Sequence, residues 1–170
     1  MKIHRSVLSE ATFLAVEEEQ QHRARDQVWR TSALTWSAGL LEGIDGECLS
    51  TEVTGGVRDL ILGDVAGLLP EYDSIEIRHY LWMRNGGIAW HNDGGRVFGA
   101  TIYLNREWHV NWGGIFLYLP RDEAIDRDLR AVFPSCNTMV VNDLGEYHSV
   151  TPVTAKQVRR TLQIWCTKEE

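Results

Sequence analysis

The eight residues Arg159–Cys166, "RRTLQIWC", alternate between two kinds of side chain. On an extended strand Arg160, Leu162, Ile164 and Cys166 share one face, and Arg159, Thr161, Gln163 and Trp165 share the other. The first face is mostly apolar and can pack into a core. The second carries polar groups on the last of a long run of strand candidates, where an interior position is expected. Polar groups inside a fold need partners, and a polar ligand would supply them. A guanidinium is the preferred partner of a carboxylate, being planar, always charged and able to bind it through two parallel hydrogen bonds. Arg159, with the hydroxyl of Thr161 two residues on, therefore reads as a carboxylate cradle. Arg160 faces the other way by parity and reads as half of a surface ion pair.

Upstream of this strand, "SIEIRHYLWM" (74–83), "RVFGATIYLN" (96–105), "GGIFLYL" (113–119), "NTMVVND" (137–143) and "HSVTPV" (148–153) are short strand candidates bounded by Gly, Asn, Asp or Pro. "DEAIDRDLRAVF" (122–133) interrupts them as a loop or one short helix. The N-terminal third reads differently. Leu8 to Ala24 is expected to be a helix with Ser9 as N-cap and Leu14 in its apolar stripe. "DQVWRTSALTW" (26–36) alternates and reads as a strand, and Leu40 to Ser50 as a glycine-containing loop. Val57, Leu60, Ile61, Asp64, Val65 and Leu68 fall at helical spacing, and Pro70 stops that helix. A helical third followed by many short strands predicts a mainly β fold, a sandwich or barrel braced by α-helices. With 170 residues and no linker, one domain is expected over 1–170: helical support over about 1–72 and a β core over about 73–168.

Composition excludes several classes. A formal net charge of −7 argues against nucleic acid, whose phosphates need a basic face. No apolar run approaches the ~18 residues of a membrane span. The N-terminus turns acidic where a secretion signal would stay apolar, so a cytoplasmic location is expected. Three cysteines without CxxC spacing fit neither a disulfide framework nor a thiolate zinc site.

"AWHNDGGR" (89–96) places His91 and Asp93 two residues apart, on one side of an extended segment. An ordinary Asn-Asp-Gly turn would contain the same residues. A third ligand is available in His148, which follows the apolar strand 137–143 and closes the triangle if the sheet folds back. Two histidines and a carboxylate form a facial triad that leaves three coordination positions open, the arrangement of non-heme Fe(II) oxygenases.

In this order on a late run of strands, His91-x-Asp93, His148 and Arg159-x-Thr161 resemble the Fe(II)- and 2-oxoglutarate-dependent oxygenases, and within them the prolyl 4-hydroxylase-like group. "TIYLNREWHVNWGGIFLYLP" is similar to that group's Tyr-Leu-Asn strand, Trp-containing turn and Gly-Gly strand. "HSVTPV" and "PSCNTMVV" are similar to its strands at and before the distal histidine. The resemblance covers about Ile75 to Thr167. It implies a double-stranded β-helix (jelly-roll, cupin-like) that holds Fe(II) through His91, Asp93 and His148. It further implies 2-oxoglutarate chelating that iron, with Arg159 on the far carboxylate. Tyr103 and Thr161 would assist, Tyr80 is a further candidate for the same pocket, and Gln163 and Trp165 would line the cavity wall. O2 is the implied co-substrate, succinate and CO2 the implied co-products, and the resemblance allows ascorbate as an additional cofactor. Related halogenases lack the carboxylate, so an intact Asp93 favours hydroxylation. Two departures stand out. The turn between His148 and Arg159 is lengthened by "AKQV", and Asn142 stands where the family often has an aromatic residue, with an altered cavity floor expected.

For the substrate, Arg96 and Arg84 are candidates to hold a carboxylate or an acidic side chain, beside Trp165 and Gln163. Either arginine would equally serve as a solvated loop charge. Trp82, Trp90, Trp108 and Trp112 could border the site or belong to core and rim, and His79 and His109 read as structural. Three readings follow: hydroxylation of a prolyl residue in a peptide or protein, hydroxylation of a free amino acid or small metabolite, or a non-catalytic cupin-like binding module.

Overall fold

The computed structural model describes residues 1–26, 28–94, 96–120, 128–143 and 145–168. In chain order these form β1 (Lys2–Arg5), α1 (Glu10–Arg25), β2 (Arg30–Thr31), α2 (Ser32–Thr35), β3 (Cys48–Glu52), α3 (Gly55–Val65), β4 (Ser74–Trp82) and β5 (Ile88–His91). They continue with β6 (Phe98–Tyr103), β7 (Phe116–Tyr118), β8 (Arg130–Val132), β9 (Thr138–Asp143), β10 (His148–Val150) and β11 (Arg159–Thr167). Short 3₁₀ turns occupy Ala38–Leu41, Ala66–Leu68 and Val110–Trp112.

The strands build two antiparallel sheets. The major sheet runs β1-β9-β6-β11-β4-β3-β2 and the minor sheet β5-β10-β7-β8. Sequence neighbours are repeatedly separated by a strand from elsewhere, as jelly-roll topology requires. β11 lies in the middle of the major sheet, paired without a bulge to β4 from Arg159↔Trp82 to Thr167↔Ser74. The expected alternation is observed. Leu162, Ile164 and Cys166 are fully buried in a core shared with Phe13 and Val16 of α1 and Ile61 and Val65 of α3. The opposite face of the sheet sends Tyr80, Trp82 and Tyr103 into a second core, completed by Phe116 and Val150 of the minor sheet. The helices thus brace the outside of the major sheet while its inner face closes against the minor one.

The N-terminal expectations hold in part. Ser9 caps α1, its hydroxyl accepting from the Thr12 amide at 3.2 Å, which supplies one of the orphan donors of a helix start. Leu14, however, is 51 % exposed. The buried stripe is Thr12, Phe13, Val16 and Gln20, and Leu14 lies about 100° around the helix from Phe13. The helix expected after Thr54 forms as α3, and the chain passes through a 3₁₀ turn before Pro70.

The expected strand over 26–36 shrinks to Arg30–Thr31, because its only neighbour is β3 at the sheet edge and the ladder ends after two pairs. Ser32–Thr35 turn helical instead. The loop expected over Leu40 to Ser50 ends earlier than predicted, since Cys48, Leu49 and Ser50 pair with β4 in β3. The buried positions of that strand are Cys48, Ser50 and Thr51, too small and polar to announce themselves as a hydrophobic pattern. Of the loop or short helix expected over 122–133, residues 122–127 lie outside the described residues, and Arg130–Val132 form an edge strand. Cys48, Cys136 and Cys166 are free. No described helix is long and apolar enough to cross a membrane.

Candidate active site

The minor sheet supplies one half of the site. β5 and β10 pair with His91 directly opposite His148, and the two imidazoles lie with centroids 4.3 Å apart. His91 Nδ1 is 2.8 Å from the Ala89 carbonyl and His148 Nδ1 is 2.9 Å from the Glu146 carbonyl. A carbonyl can only accept, so both Nδ1 atoms carry the proton and both Nε2 lone pairs are free to ligate. Burial, reinforced by His148 alongside, holds His91 below the usual histidine range and so in this neutral form. Asp93 lies just beyond β5. Its Oδ1 is 3.8 Å from His91 Nε2 and its Oδ2 is 3.7 Å from His148 Nε2. The three ligand atoms lie within 4.8 Å of one another, a group able to hold a metal ion. Two imidazoles and one carboxylate suit a first-row divalent metal and leave part of its coordination sphere open.

The major sheet supplies the other half. Arg159 is 1 % exposed, yet none of its three guanidinium nitrogens has a hydrogen-bond partner among the described residues. Its guanidinium lies 5.0 Å from the centroid of the Trp82 ring and 5.2 Å from that of Tyr103. A buried, unpaired charge is costly, and here burial lowers the arginine's pKa. Gly114, at φ +64°, makes the space: a Cβ there would stand 2.6 Å from Arg159 Cδ. β4, β11 and β6 align Tyr80, Thr161 and Tyr103 in one cross-strand row. Thr161 Oγ1 accepts from Trp82 Nε1 at 3.1 Å, which leaves the threonine proton free to donate. The Tyr103 hydroxyl is buried with no hydrogen-bond partner among the described residues, and burial pushes it up to about 12 despite nearby Arg159, so it too is a donor. The cluster combines one positive charge with two hydroxyl donors and holds no carboxylate partner for Arg159 among the described residues, which fits a bound carboxylate.

Arg160 points the other way, to Glu17 at 3.0 Å. The lengthened turn after His148 therefore does not displace the register of β11. Gln163 accepts from Thr101 at 2.7 Å and lines the inner cavity, as does Trp165. That cavity, about 50 Å³, is lined by His91, Asp93 and His148 together with Arg159. It shares Trp36, Tyr80, Ile88, His91, Asp93 and Trp165 with an outer cleft of about 570 Å³. Arg96 lines the outer cleft with its guanidinium 4.3 Å from the Trp165 ring centroid, whereas Arg84 is exposed in the turn after β4 and lines neither space. His79 is buried on the outer face of the major sheet against Glu19 at 3.0 Å, and His109 accepts from the Asn111 amide, so both are structural. Trp82 belongs to the inner cavity, Trp108 and Trp112 pack edge to face, and Trp90 is exposed.

Sequence reasoning missed Trp36, which stacks on Tyr80 with ring centroids 6.2 Å apart and lines both spaces. It comes from a segment with no motif, and only the chain's return over the β4 face brings it there. Asn142 is not among the residues lining the inner cavity. Instead its amide donates to Asp93 Oδ2 at 2.8 Å.

Fold and donor set together define a double-stranded β-helix that carries a candidate metal-binding triad and a buried arginine without a partner among the described residues. The chain belongs to the 2OG-Fe(II) oxygenase superfamily, whose family model matches residues 75–167. Membership implies Fe(II) and 2-oxoglutarate, and both halves of the site fit them. Among solved structures, a prolyl-4-hydroxylase from Pseudomonas putida superposes with a TM-score of 0.76 at 20 % identity, over 98 % of this chain and 92 % of that one. A prolyl hydroxylase from Trichoplax adhaerens, in complex with a hypoxia inducible factor peptide fragment, gives 0.72 at 17 % identity over 98 % and 83 %. The non-heme α-ketoglutarate-dependent carbocyclase of nogalamycin biosynthesis gives 0.70 at 14 % over 98 % and 78 %. At these identities the similarity is one of fold. No curated protein matches the chain.

Proposed function

We propose that the protein hydroxylates an unactivated C–H bond of a prolyl residue in a peptide or protein. Fe(II) would be held by His91, Asp93 and His148. The observation that carries the assignment is Arg159: a buried guanidinium with no hydrogen-bond partner among the described residues, lining the same cavity as the triad. The remote carboxylate of 2-oxoglutarate would satisfy it, with Thr161 and Tyr103 donating to the same group. Iron and 2-oxoglutarate, when bound, supply the oxidative decarboxylation that activates O2 for attack on the C–H bond, releasing succinate and CO2. The chain's share is positioning and shielding. Phe116, Val150 and Trp82 contribute apolar side chains to the inner cavity that the triad and Arg159 also line. Tyr80 and Trp36 form the aromatic wall through which the outer cleft reaches the metal ligands.

The prolyl reading is supported by the two hydroxylases of similar fold and by a wide outer cleft flanked by Trp36 and Trp165, which could face a pyrrolidine ring. Arg96 favours a second reading. It is stacked on Trp165 with no hydrogen bond or ion pair among the described residues, and would accept the carboxylate of a free amino acid as well as an acidic peptide side chain. Anaerobic addition of Fe(II) and 2-oxoglutarate should produce a metal-to-ligand charge-transfer band, and admission of O2 should yield succinate. Absence of both, relative to His91→Ala, would overturn the oxygenase assignment. Stimulation of succinate formation by free proline or another metabolite, and not by proline-containing peptides, would establish the second reading.

A further inference from the structure

The three members of the triad are not held alike. His91 and His148 sit on paired strands, and each has its Nδ1 tied to a backbone carbonyl. Asp93 lies beyond the end of β5, between exposed Asn92 and exposed Gly94, so its own segment gives it little support. Its carboxylate is gripped from behind by the major sheet. Asn142 of β9 is 2 % exposed and donates from Nδ2 to Asp93 Oδ2 at 2.8 Å. A carboxylate only accepts, so the amide must present its NH2 group there. Among the described residues this is the one hydrogen bond the carboxylate receives. Directly across the ladder from Asn142 is Gly99 of β6. A Cβ on Gly99 would stand 2.5 Å from Asp93 Oδ2 and 3.2 Å from Asn142 Nδ2. Adjacent strands thus offer a donor and a gap at the one point where the loop-borne ligand meets the sheet.

We propose that Asn142 is a positioning residue of the metal centre, and that its amide, in the space left by Gly99, fixes the plane of the Asp93 carboxylate toward His91 and His148. The proposal rests on the reading of the triad as a metal site. It gives a reason for a buried polar residue directly after the apolar run Met139–Val141, which is buried in the two cores. Outer partners that orient ligands are typically worth ~10–100-fold in metal affinity.

The test is metal binding by the full chain. Mn(II) affinity and the Co(II) ligand-field spectrum are measured for wild type, Asn142→Leu, Gly99→Ala and His91→Ala, with metal-free melting as a control for folding. Leucine matches asparagine in size but cannot donate. Asn142→Leu is expected to melt like wild type without metal, bind Mn(II) ~10–100-fold more weakly and shift the Co(II) bands. Gly99→Ala, which keeps the amide but crowds Oδ2, is expected to weaken Mn(II) binding as well. Wild-type Mn(II) affinity and an unchanged Co(II) spectrum in Asn142→Leu would overturn the proposal. If that variant fails to fold, unchanged Mn(II) affinity in Gly99→Ala would overturn it. Wild type binding Mn(II) no better than His91→Ala would instead remove the metal site itself, and the role of Asn142 with it.

Discussion

The two sheets divide the site between them, and they are built differently. The minor sheet is made of strands of three or four residues, its register shifts between His148 and Val150, and its contribution is a set of lone pairs at an accessible edge. The major sheet has nine-residue strands at its centre, pairs β11 to β4 without interruption, and contributes a charge at depth. A metal centre must exchange ligands and admit substrate, so its residues belong near an opening. A carboxylate anchor gains from exclusion of water, which strengthens each charge-assisted hydrogen bond. The double-stranded β-helix meets both requirements by placing them on facing sheets.

The largest effect is expected on the minor sheet. Exchange of His91 or His148 for alanine should weaken Fe(II) binding by more than about 100-fold, beyond what loss of an outer partner does, and abolish 2-oxoglutarate turnover. A metal titration followed by a succinate assay checks this. Retention of turnover in either variant would break the assignment of the metal to this sheet.

Arg159→Met separates the sheets most sharply. An unpaired buried guanidinium destabilises the protein without ligand, so its replacement by an apolar side chain should leave the ligand-free melting temperature unchanged or higher. The same variant should lose the stabilisation that 2-oxoglutarate confers on wild type, about 2.7 kcal/mol at a hundredfold excess over Kd. Melting curves with and without 2-oxoglutarate, in the presence of Mn(II), give both signs in one experiment. A fall in ligand-free stability would mean that Arg159 has a partner within the fold.

Smaller effects are expected on the outer face of the major sheet. Burial pushes the Glu19 carboxyl up, but hydrogen bonds from His79 and Thr54 outweigh it and hold the group below its ordinary value. A carboxyl depressed in the folded state adds stability above its unfolded pKa and loses it as pH falls through the folded value. Glu19→Gln should therefore be less stable than wild type at neutral pH, by about 1–2 kcal/mol. The difference should close below about pH 4, which denaturant titrations across pH would reveal. Arg160→Ala is expected to have the least effect, about 0.2–1 kcal/mol through loss of the Glu17 pair, with 2-oxoglutarate affinity unchanged. A change in that affinity would reverse the reading of the β11 faces.

How legible each part was depends on how local its cause is. Strand alternation is a local property. "RRTLQIWC" therefore disclosed which side of β11 faces the helices, and which of two adjacent arginines faces inward. The family resemblance placed His91, Asp93 and His148 together although 57 residues separate His91 from His148. The short edge strands, β1, β5 and β8, carry too few residues for a period to register, and β3 hides its buried positions behind Cys, Ser and Thr. Leu14 was misassigned because an apolar residue one step off a helical stripe differs from its neighbour only by rotation.

The sequence by itself determined a mainly β core, the inward face of Arg159 and the donor types of the candidate metal triad, because alternation and chemical identity travel with the chain; the β-helix was implied by the family resemblance. Only the tertiary structure decided what each polar group meets. The lone state of the Arg159 guanidinium, the Trp36 wall, the exclusion of Arg84 and the grip of Asn142 on Asp93 are contacts between segments distant in sequence. Such contacts depend on register and sheet stacking, and a one-residue slip of β11 or β9 would send Arg159 or Asn142 to the opposite face of the major sheet.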